Sequence, residues 1–289
     1  MHGTLECMNA PKIVWDREAE RDTVGAADPA RDAPLGFPAP WPDRPWIFGV
    51  MVASRNGVVA WRRRDEADDP VLAVLGGDPR RPERLADKRL MRALRCYGDV
   101  GIGAQTLREQ PTLVQLPQEP GEPPAPELYD IRRRRGLPRN PRLVVYSLFG
   151  RLPLGNLAFR TPGLEVIVVT SERGADELLR RGDTGLTKLV ESVPDPAALR
   201  HAHARLRRQH DVRYLACEGG MSILSALRQA GILDEVFLTT TDVVIDRAAH
   251  EGVVTMFDLE REGARLVAEG RTAATSGWLF QRWRFNERR

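Results

Sequence analysis

Short apolar runs alternate along most of this chain with segments in which apolar residues recur every three or four positions. The pattern is sharpest over residues 212–241. There, an apolar run leads into a Glu-Gly-Gly turn, a helically spaced segment follows, and Gly231 separates that segment from a second β-rich run. This succession predicts a strand, a helix and a second strand. Because the alternation repeats along the chain, we expect an α/β fold whose mostly parallel central sheet is flanked by helices.

The other helices and strands are predicted from the same two patterns, the short apolar run for a strand and the spacing of three or four residues for a helix. An Asn-Gly dipeptide at 56–57 lies between two β-rich runs and predicts a turn between strands. Residues 62–82 are charged and contain several Gly and Pro, which predicts a loop. The last apolar runs are predicted to form antiparallel edge strands. The predicted helices are 83–98, one that opens at 103–106, 175–181 and 196–210, and the predicted strands lie within 44–61, 99–103, 142–150, 164–172, 186–190, 253–257, 264–267 and 278–285.

Two segments fall outside this alternation. Residues 1–40 are polar and rich in Ala, Asp and Pro, which predicts an extension, although its apolar triplet at 13–15 is able to pack onto a neighbour. Residues 115–141 form a Pro- and Arg-rich insert with one helical turn near 129–134. The pattern therefore predicts one domain over 41–289 behind an N-terminal extension.

Composition and charge exclude several classes of protein. Hydrophobic residues make up 42% and charged residues 29% of the 289, as in an ordinary water-soluble protein. The net charge of +3 is small and the two signs are interleaved, which argues against nucleic-acid binding. The one basic run, at 132–135, is interpreted as a solvated surface loop.

Cysteine, histidine and motif content narrow the choice further. Cys7, Cys96 and Cys217 have no paired spacing, which indicates reduced thiols in a cytoplasmic protein. The N-terminal residues lack the apolar core of a signal peptide, and no apolar run reaches membrane-spanning length. His201 and His203 lie on different faces of a predicted helix, so they predict surface histidines and no metal site. The chain also lacks the motifs of zinc deaminases, serine hydrolases, zinc proteases and Walker-type nucleotide hydrolases.

Two glycine-containing turns are candidates for a phosphate site. Gly219 and Gly220 join a predicted strand to a helix, where the backbone can approach a ligand and the helix N-terminus offers N–H groups. A plain tight connection explains the same dipeptide. In the second turn, residues 103–106 open a helix after a strand of small residues, and Thr106 is suited either to cap that helix or to contact a phosphate.

The segment 212–241 resembles the strand, Glu-Gly-Gly turn, helix and second strand of the reductase domain of bifunctional riboflavin-biosynthesis deaminase-reductases. The turn at 103–106 resembles a second cofactor-binding turn of that family, and residues 276–285 resemble its last strand. The likeness runs from about residue 41 to the C-terminus and extends to pyrimidine-reductase-like proteins. It implies a dihydrofolate-reductase-like fold, NADPH as cofactor, a small-molecule substrate and a homodimer. Alternation in the last strand places four residues on one face, which is the expected dimer contact: Trp278, Phe280, Arg282 and Arg284.

The resemblance also assigns residues to the cofactor. The two glycine turns would hold the NADPH pyrophosphate, and the loop after the strand within 164–172 would pass the adenosine end. A Ser or Arg in that loop suits the 2′-phosphate, although Arg173 is equally explained as a solvated residue at a helix start. The implied cofactor-binding residues are Ala53, Gly103, Ala104, Thr106, Thr170, Ser171, Arg173, Gly219, Gly220, Met221 and Ser222.

On the substrate side, the chain departs from the family that it resembles. Ser54 and Gly57 match the family's Ser-Leu-Asp-Gly turn, but Asn56 replaces the Asp, and Val50 stands where the riboflavin enzymes have a substrate-contacting Lys. Gln110 lies in the segment that matches their substrate-binding Asp-Asp-Pro. We therefore expect Val50, Ser54 and Gln110 to contact the substrate, which should be less cationic or less amino-rich than the riboflavin precursor.

Glu218 is the expected catalytic, substrate-facing carboxylate, because it follows a strand at its carboxyl end. Asn56 is the second expected catalytic residue, as a neutral polar contact in place of the family's carboxylate. A structural role in the Gly-Gly turn is the alternative for Glu218. The sequence thus predicts an NADPH-dependent reductase that transfers hydride to a C=N or C=O group of a pyrimidine, pteridine or imine-like heterocycle, in specialised metabolism. A riboflavin-pathway or folate reductase, and a nucleotide-binding protein without catalysis, are the alternatives.

Overall fold

The computed structural model describes residues 13–15, 37–65, 68–119, 125–182, 186–191, 195–272 and 277–285. Most of the predicted N-terminal extension, including Cys7, and part of the predicted insert lie outside these ranges. The strands are β1 (Ile13–Trp15), β2 (Trp46–Ala53), β3 (Val58–Ala60), β4 (Asp99–Gly103), β5 (Leu143–Tyr146), β6 (Val166–Thr170), β7 (Thr187–Val190), β8 (Tyr214–Cys217), β9 (Glu235–Thr240), β10 (Val254–Thr255), β11 (Ala264–Thr272) and β12 (Leu279–Phe285). The helices are α1 (Pro70–Val74), α2 (Pro82–Arg95), α3 (Ala104–Glu109), α4 (Pro126–Arg134), α5 (Leu157–Arg160), α6 (Glu172–Arg180), α7 (Pro196–His210) and α8 (Met221–Gln229), with a 3₁₀ turn at Arg247–Ala249.

The chain divides into two compact units. The first unit comprises Met1–Pro38, Gly49–Met91 and Asp234–Arg289, and the second comprises Ala39–Phe48 and Arg92–Leu233. The boundary between Phe48 and Gly49 falls inside β2. The hydrophobic pattern, which predicts one domain over 41–289, carries no sign of this division.

The second unit contains the parallel sheet. Its strand order is β2-β8-β4-β5-β6-β7, and the pairs from β8 to β7 are all parallel. Parallel neighbours need crossover connections, which the intervening helices supply. The carboxyl ends of these strands therefore meet at one edge, where open α/β sheets bind ligands. Apolar side chains of β4, β5 and β6 form one buried cluster with Leu107, Leu152 and Leu178.

The first unit is antiparallel. Its strand order is β1-β11-β12-β9-β2, and the pairs from β1 to β9 are antiparallel, which confirms the predicted C-terminal edge. The apolar triplet 13–15 packs as the sequence suggests, because β1 pairs with the end of β11. β3 pairs with β10, and its Val58 belongs to a buried cluster with Trp61, Val74 and Ile245.

Helix predictions succeed where strong local signals mark the ends. The predicted helix 196–210 coincides with α7, because Pro196 occupies its first turn and the Asp195 carboxylate accepts a hydrogen bond from the Ala198 N–H. The loop predicted over 62–82 is wrong in part. It contains α1, whose N-terminus Asp69 caps by accepting from two backbone N–H groups. In the predicted insert, α4 is longer than the single turn expected.

The interpretation of residues 132–135 as a solvated loop is wrong for Arg132, which lies on α4 and is fully buried. Its Nη1 donates to the carbonyl oxygens of Arg95 and Gly98, at 2.8 and 2.7 Å, and its Nε donates to Pro138. The C-terminal carbonyls of a helix lack intrahelical donors. Arg132 supplies such donors to the end of α2, which explains why a cation is buried here.

The surface position predicted for His203 is also wrong. His203 is fully buried on the inner face of α7, whereas the side chain of His201 is 59% exposed. Helical periodicity shows that the two histidines lie on different faces, but it does not show which of them has a buried polar partner. The partner of His203 lies on β5.

The expected dimer face on β12 is already covered within the chain. Trp278, Phe280 and Arg282 are fully buried, and Arg284 is 9% exposed. Arg282 and Arg284 both donate to the buried Glu235 carboxylate, and Arg282 lies 4.9 Å from the centre of the Phe37 ring. These residues form a core, so they do not provide a free surface for a second copy.

Within the described ranges, no helix is both long and apolar enough to cross a membrane. In the same ranges, no three His, Cys, Asp or Glu side chains are grouped as metal ligands would be. Cys96 and Cys217 are both buried, and burial raises the pKa of Cys217 to about 12.

Candidate functional site

The two glycine turns meet in the second unit. β4 and β8 are parallel neighbours, and the Glu218 N–H donates to the Gly101 carbonyl at 2.9 Å. A Cβ atom on Gly219 would lie 3.0 Å from Thr106 Oγ1 and 3.2 Å from Ile102 Cγ1. Only glycine allows so close an approach without displacement of a neighbour. We call residues 103–106 and 219–222 together the glycine corner.

Gly220 opens α8 at the glycine corner. Its φ of +67° belongs to the left-handed region that glycine tolerates best. No side chain caps the helix, and a Cβ on Gly220 would meet nothing within 4 Å. The corner therefore presents the N-terminal end of a nine-residue helix, with its partial positive charge, beside open space.

A cavity of about 170 Å³ lies at the carboxyl ends of β5 and β6 in the same unit. It adjoins the glycine corner, because Ile223 lines the cavity and lies 3.4 Å from the position of a Cβ on Gly103. Its surface is mostly apolar. The lining residues are Tyr146, Ser147, Leu148, Val169, Thr170, Ser171, Glu191, Ala198, Leu199, Ile223 and Ala226.

Tyr146 contributes an aromatic wall to this cavity and is held by His203. The Tyr146 hydroxyl lies 2.8 Å from His203 Nε2, and His203 Nδ1 lies 2.7 Å from the Leu199 carbonyl. A carbonyl only accepts, so Nδ1 carries the imidazole proton and the tyrosine hydroxyl donates to Nε2. Burial lowers the pKa of His203 to about 4 and raises that of Tyr146 well above its usual range. The neutral pair fixes the ring of Tyr146 in position.

The loop ends at β5 and β6 are tied together at the cavity rim. Thr170 Oγ1 donates to Ser147 and Ser171 Oγ donates to Leu148, at 2.6 and 2.7 Å. Ser171 also caps α6 by accepting from the Gly174 N–H. Thr170 and Ser171 thus line the cavity with hydroxyls that already have backbone partners. Arg173 is exposed, lies 5.9 Å from the Phe149 ring centre, and does not line the cavity.

Glu191 supplies the cavity's charged group. It follows β7, and its backbone N–H donates to the Thr170 carbonyl. One carboxylate oxygen lies 2.8 Å from His201 Nδ1, and the other accepts from Arg205 Nη1 at 3.2 Å. Arg205 Nη1 also donates to the Val190 carbonyl. The carboxylate, 11% exposed, is consequently held in a defined position in the cavity lining.

Glu218 is engaged by an arginine. Arg95 Nε and Nη2 donate to its two carboxylate oxygens at 2.6 and 2.8 Å. Arg95 is 1% exposed, and its Nη1 donates to Leu116 and Glu119. Burial acts to lower the pKa of Arg95, but the charges and hydrogen bonds of Glu218 and Glu119 together outweigh it and raise that pKa. This geometry favours the structural alternative for Glu218, since both of its oxygens already accept charged hydrogen bonds.

The predicted substrate turn lies in the first unit. The Ser54 hydroxyl donates to Asn56 Oδ1 at 2.8 Å, and the Asn56 amide exchanges two hydrogen bonds with the backbone of Ile245. Ser54 is fully buried, Ala53 is almost fully buried, and Val50 is partly exposed. The polar groups of Ser54 and Asn56 therefore hold the turn itself, and a further role toward substrate stays a prediction.

The sequence predicts both turns of the glycine corner but few of the residues that line the cavity. Gln110 ends α3, away from the cavity lining, and Met221 and Ser222 begin α8 at the corner. Tyr146 and Glu191 were not predicted as site residues. Glu191 directly follows the predicted strand 186–190, and this position was the available signal, because the strand ends of a parallel sheet converge at one edge. Tyr146 lies inside the predicted run 142–150, and only the structure shows that it ends β5.

Three solved structures illustrate the proteins that share this fold. RibD of Acinetobacter baumannii has a TM-score of 0.56 at 18% identity, over 84% of this chain and 58% of that one. A pyrimidine reductase-like protein of Corynebacterium diphtheriae has a TM-score of 0.59 at 21% identity, over 84% of this chain and 92% of that one. The riboflavin biosynthesis reductase of Saccharomyces cerevisiae has a TM-score of 0.53 at 11% identity, over 84% and 90%.

These likenesses confirm the dihydrofolate-reductase-like α/β fold that the sequence predicts. Its structural neighbours are RibD-like and pyrimidine reductase proteins, and this chain spans 58% of the length of RibD. No protein-family model matches the sequence, and the search of curated proteins found no significant match.

Proposed function

We propose that this protein is a reductase that uses a nicotinamide dinucleotide to reduce a C=N or C=O group of a small pyrimidine-like heterocycle. The glycine corner is the observation that carries the proposal. Two strand-to-helix turns, far apart in sequence, pack closely here because Gly219 has no side chain against Thr106, and open space lies beside Gly220 at the N-terminus of α8. Backbone N–H groups and a positive dipole end in open space suit a diphosphate.

The cavity beside the corner fits the other half of such a nucleotide. β4, at the corner, and β6, at the cavity, are two strand spacings apart, about 10 Å. The apolar lining and the fixed ring of Tyr146 suit a flat heteroaromatic base. Gly103–Thr106 and Gly219–Ser222 would thus hold the diphosphate, and residues from β5, β6, α7 and α8 would enclose the adenosine.

Bound in this way, the reduced nicotinamide supplies hydride, and the protein contributes orientation. The Arg95–Glu218 pair keeps the backbone at the end of β8 in place, which fixes the start of the glycine corner. The Tyr146–His203 pair fixes the cavity wall. NADPH is the form of the cofactor that the resemblance implies, and the riboflavin-pathway and pyrimidine reductases of the same fold support a pyrimidine-like substrate.

Turnover tests the proposal. We expect oxidation of a reduced nicotinamide dinucleotide, followed by its absorbance, with at least one member of a panel of aminopyrimidines, pterins and cyclic imines. Gly219→Ala places a methyl group against Thr106, so dinucleotide affinity should fall by about tenfold or more. Gly155→Ala is the matched control, because its Cβ would meet only a side-chain atom of Arg160 at 3.8 Å.

A nucleotide-binding protein without catalysis is the alternative of a different class. It would bind the dinucleotide and show the same loss in Gly219→Ala, but no substrate in the panel would be reduced. If neither the oxidised nor the reduced dinucleotide binds the wild-type chain, both functions are excluded.

A homodimer stays part of the proposal, since the resemblance implies one. Sedimentation of the full chain measures the oligomeric state directly. Arg282→Ala should lower stability without a specific effect on association, because Arg282 is buried within the chain.

A further inference from the structure

We infer that Glu191 selects the cofactor, so that the cavity takes adenosine with a free 2′-hydroxyl and the protein prefers NADH to NADPH. This inference rests on the proposed function, and it departs from the NADPH that the resemblance implies. It is built on the charge of the cavity and on the position of one carboxylate.

The cavity offers nothing that would attract a phosphate. Among its lining residues, all within the described part of the chain, Glu191 alone carries a charge. A phosphate monoester carries a charge of about −1.5 to −2 near neutral pH. Placing it beside a carboxylate in an apolar cavity adds like-charge repulsion to the cost of removing it from water.

A ribose hydroxyl, in contrast, suits Glu191. A carboxylate has about four acceptor sites. Two are used by His201 and Arg205, one on each oxygen, so acceptor capacity remains on both. Because these two partners hold the side chain in place, a hydroxyl donor that enters the cavity finds an acceptor already oriented.

The residues expected to bind a 2′-phosphate are not arranged to do so. Ser171 lines the cavity, but its hydroxyl donates to Leu148 and accepts from Gly174. Arg173 is exposed and does not line the cavity. Arg205 does not line the cavity, and its positive charge is paired with Glu191, since its Nη1 donates to that carboxylate and to the Val190 carbonyl.

Calorimetric binding to the full chain tests the inference without relying on catalysis. The probes are NAD⁺ and NADP⁺, together with ADP-ribose and 2′-phospho-ADP-ribose, which report on the adenosine half alone. Within each pair we expect the form without the 2′-phosphate to bind at least about tenfold more tightly.

Glu191→Gln removes the charge and keeps the shape, so the preference should shrink to about threefold or less, mainly through tighter binding of the phosphorylated forms. Glu172→Gln is the matched control. It removes one negative charge from an exposed position next to Ser171, and it should leave the preference intact.

Three outcomes would overturn the inference. Equal or tighter binding of NADP⁺ by the wild-type chain contradicts it while leaving the proposed reductase standing. A wild-type preference for NAD⁺ that persists unchanged in a folded Glu191→Gln removes Glu191 as its cause. Failure of all four probes to bind sinks the proposed function together with the inference.

Discussion

Arg95 and Glu218 form a two-point ion pair at the start of the glycine corner, with Nε–Oε1 at 2.6 Å and Nη2–Oε2 at 2.8 Å. The side chains are 1% and 5% exposed, so the pair is removed from water. Arg95 ends α2 and Glu218 follows β8. The pair therefore joins two elements that are distant in sequence, at the point where β8 leads into the proposed diphosphate site.

Glu218→Gln should destabilise the protein by about 3 kcal/mol, because it removes the carboxylate that pairs with two nitrogens of a buried guanidinium and leaves Glu119, at one nitrogen, as the remaining counter-charge. Urea unfolding measures the change. Glu177→Gln is the control, since Glu177 pairs with Arg180, whose side chain is 67% exposed, and such surface pairs contribute about 1 kcal/mol or less. A Glu218→Gln chain as stable as wild type, but without turnover, would instead support the catalytic role.

His203 should make the protein sensitive to acid. Burial lowers its pKa in the folded state to about 4, from the ordinary value of 6.5. Between these values the unfolded chain binds the extra proton, so the free energy of unfolding should fall by up to about 3 kcal/mol as the pH drops from 6.5 to 4.

The measurement is the difference in unfolding free energy between wild type and variants across that pH range. His203→Gln should lose this part of the pH dependence, while His201→Gln, changed at an exposed position, should keep it. Equal slopes for wild type and His203→Gln would show that His203 titrates normally.

Asp87 should make the stability of the protein depend on pH in the opposite direction. Burial raises its pKa to about 6 in the folded state, and the Thr239 hydroxyl donates to its Oδ1 at 2.6 Å. The folded state thus favours the protonated carboxyl, and this contribution is present below the ordinary pKa of 3.8 and lost as the pH rises through about 6.

Asp87→Asn keeps an acceptor for Thr239 and removes the ionisation. We therefore expect it to raise the free energy of unfolding by about 3 kcal/mol above pH 7, with the gain vanishing toward pH 4. Thermal unfolding at several pH values checks this. Asp130→Asn, on the exposed side of α4, is the comparison, and a stabilisation that does not depend on pH would contradict the explanation.

Gly174 should be essential to the cavity rim. A Cβ there would lie 2.0 Å from Thr170 Oγ1 and 2.6 Å from the Leu148 carbonyl oxygen. Gly174→Ala must displace this backbone, so we expect a loss of about 2 kcal/mol in stability. ADP-ribose binding should weaken as well, because Ser147 and Leu148 line the cavity. Gly155→Ala should change neither quantity, and similar effects in both variants would argue against a specific role for the rim.

The sequence alone determined most of the helices and strands and the two glycine turns of the proposed diphosphate site. Hydrophobic periods act between neighbours, so they specify strands such as β6 and helices such as α7 with its Asp195 cap. Glycines also indicate local structure, because a turn such as that at Gly220 needs a positive φ that other residues rarely adopt. For these reasons the α/β fold and the two turns of the glycine corner can be predicted from the sequence.

Only the tertiary structure decided which polar groups are buried and what they face. Glu218 is 123 positions from Arg95, and Tyr146 is 57 positions from His203. Whether such partners meet depends on the order of the strands in the sheet, and hydrophobic periodicity contains no information on that order. A charge or hydroxyl leaves water only where a partner compensates it. The cavity, its carboxylate at Glu191 and the buried Arg132 therefore became visible only once the strands had been placed side by side.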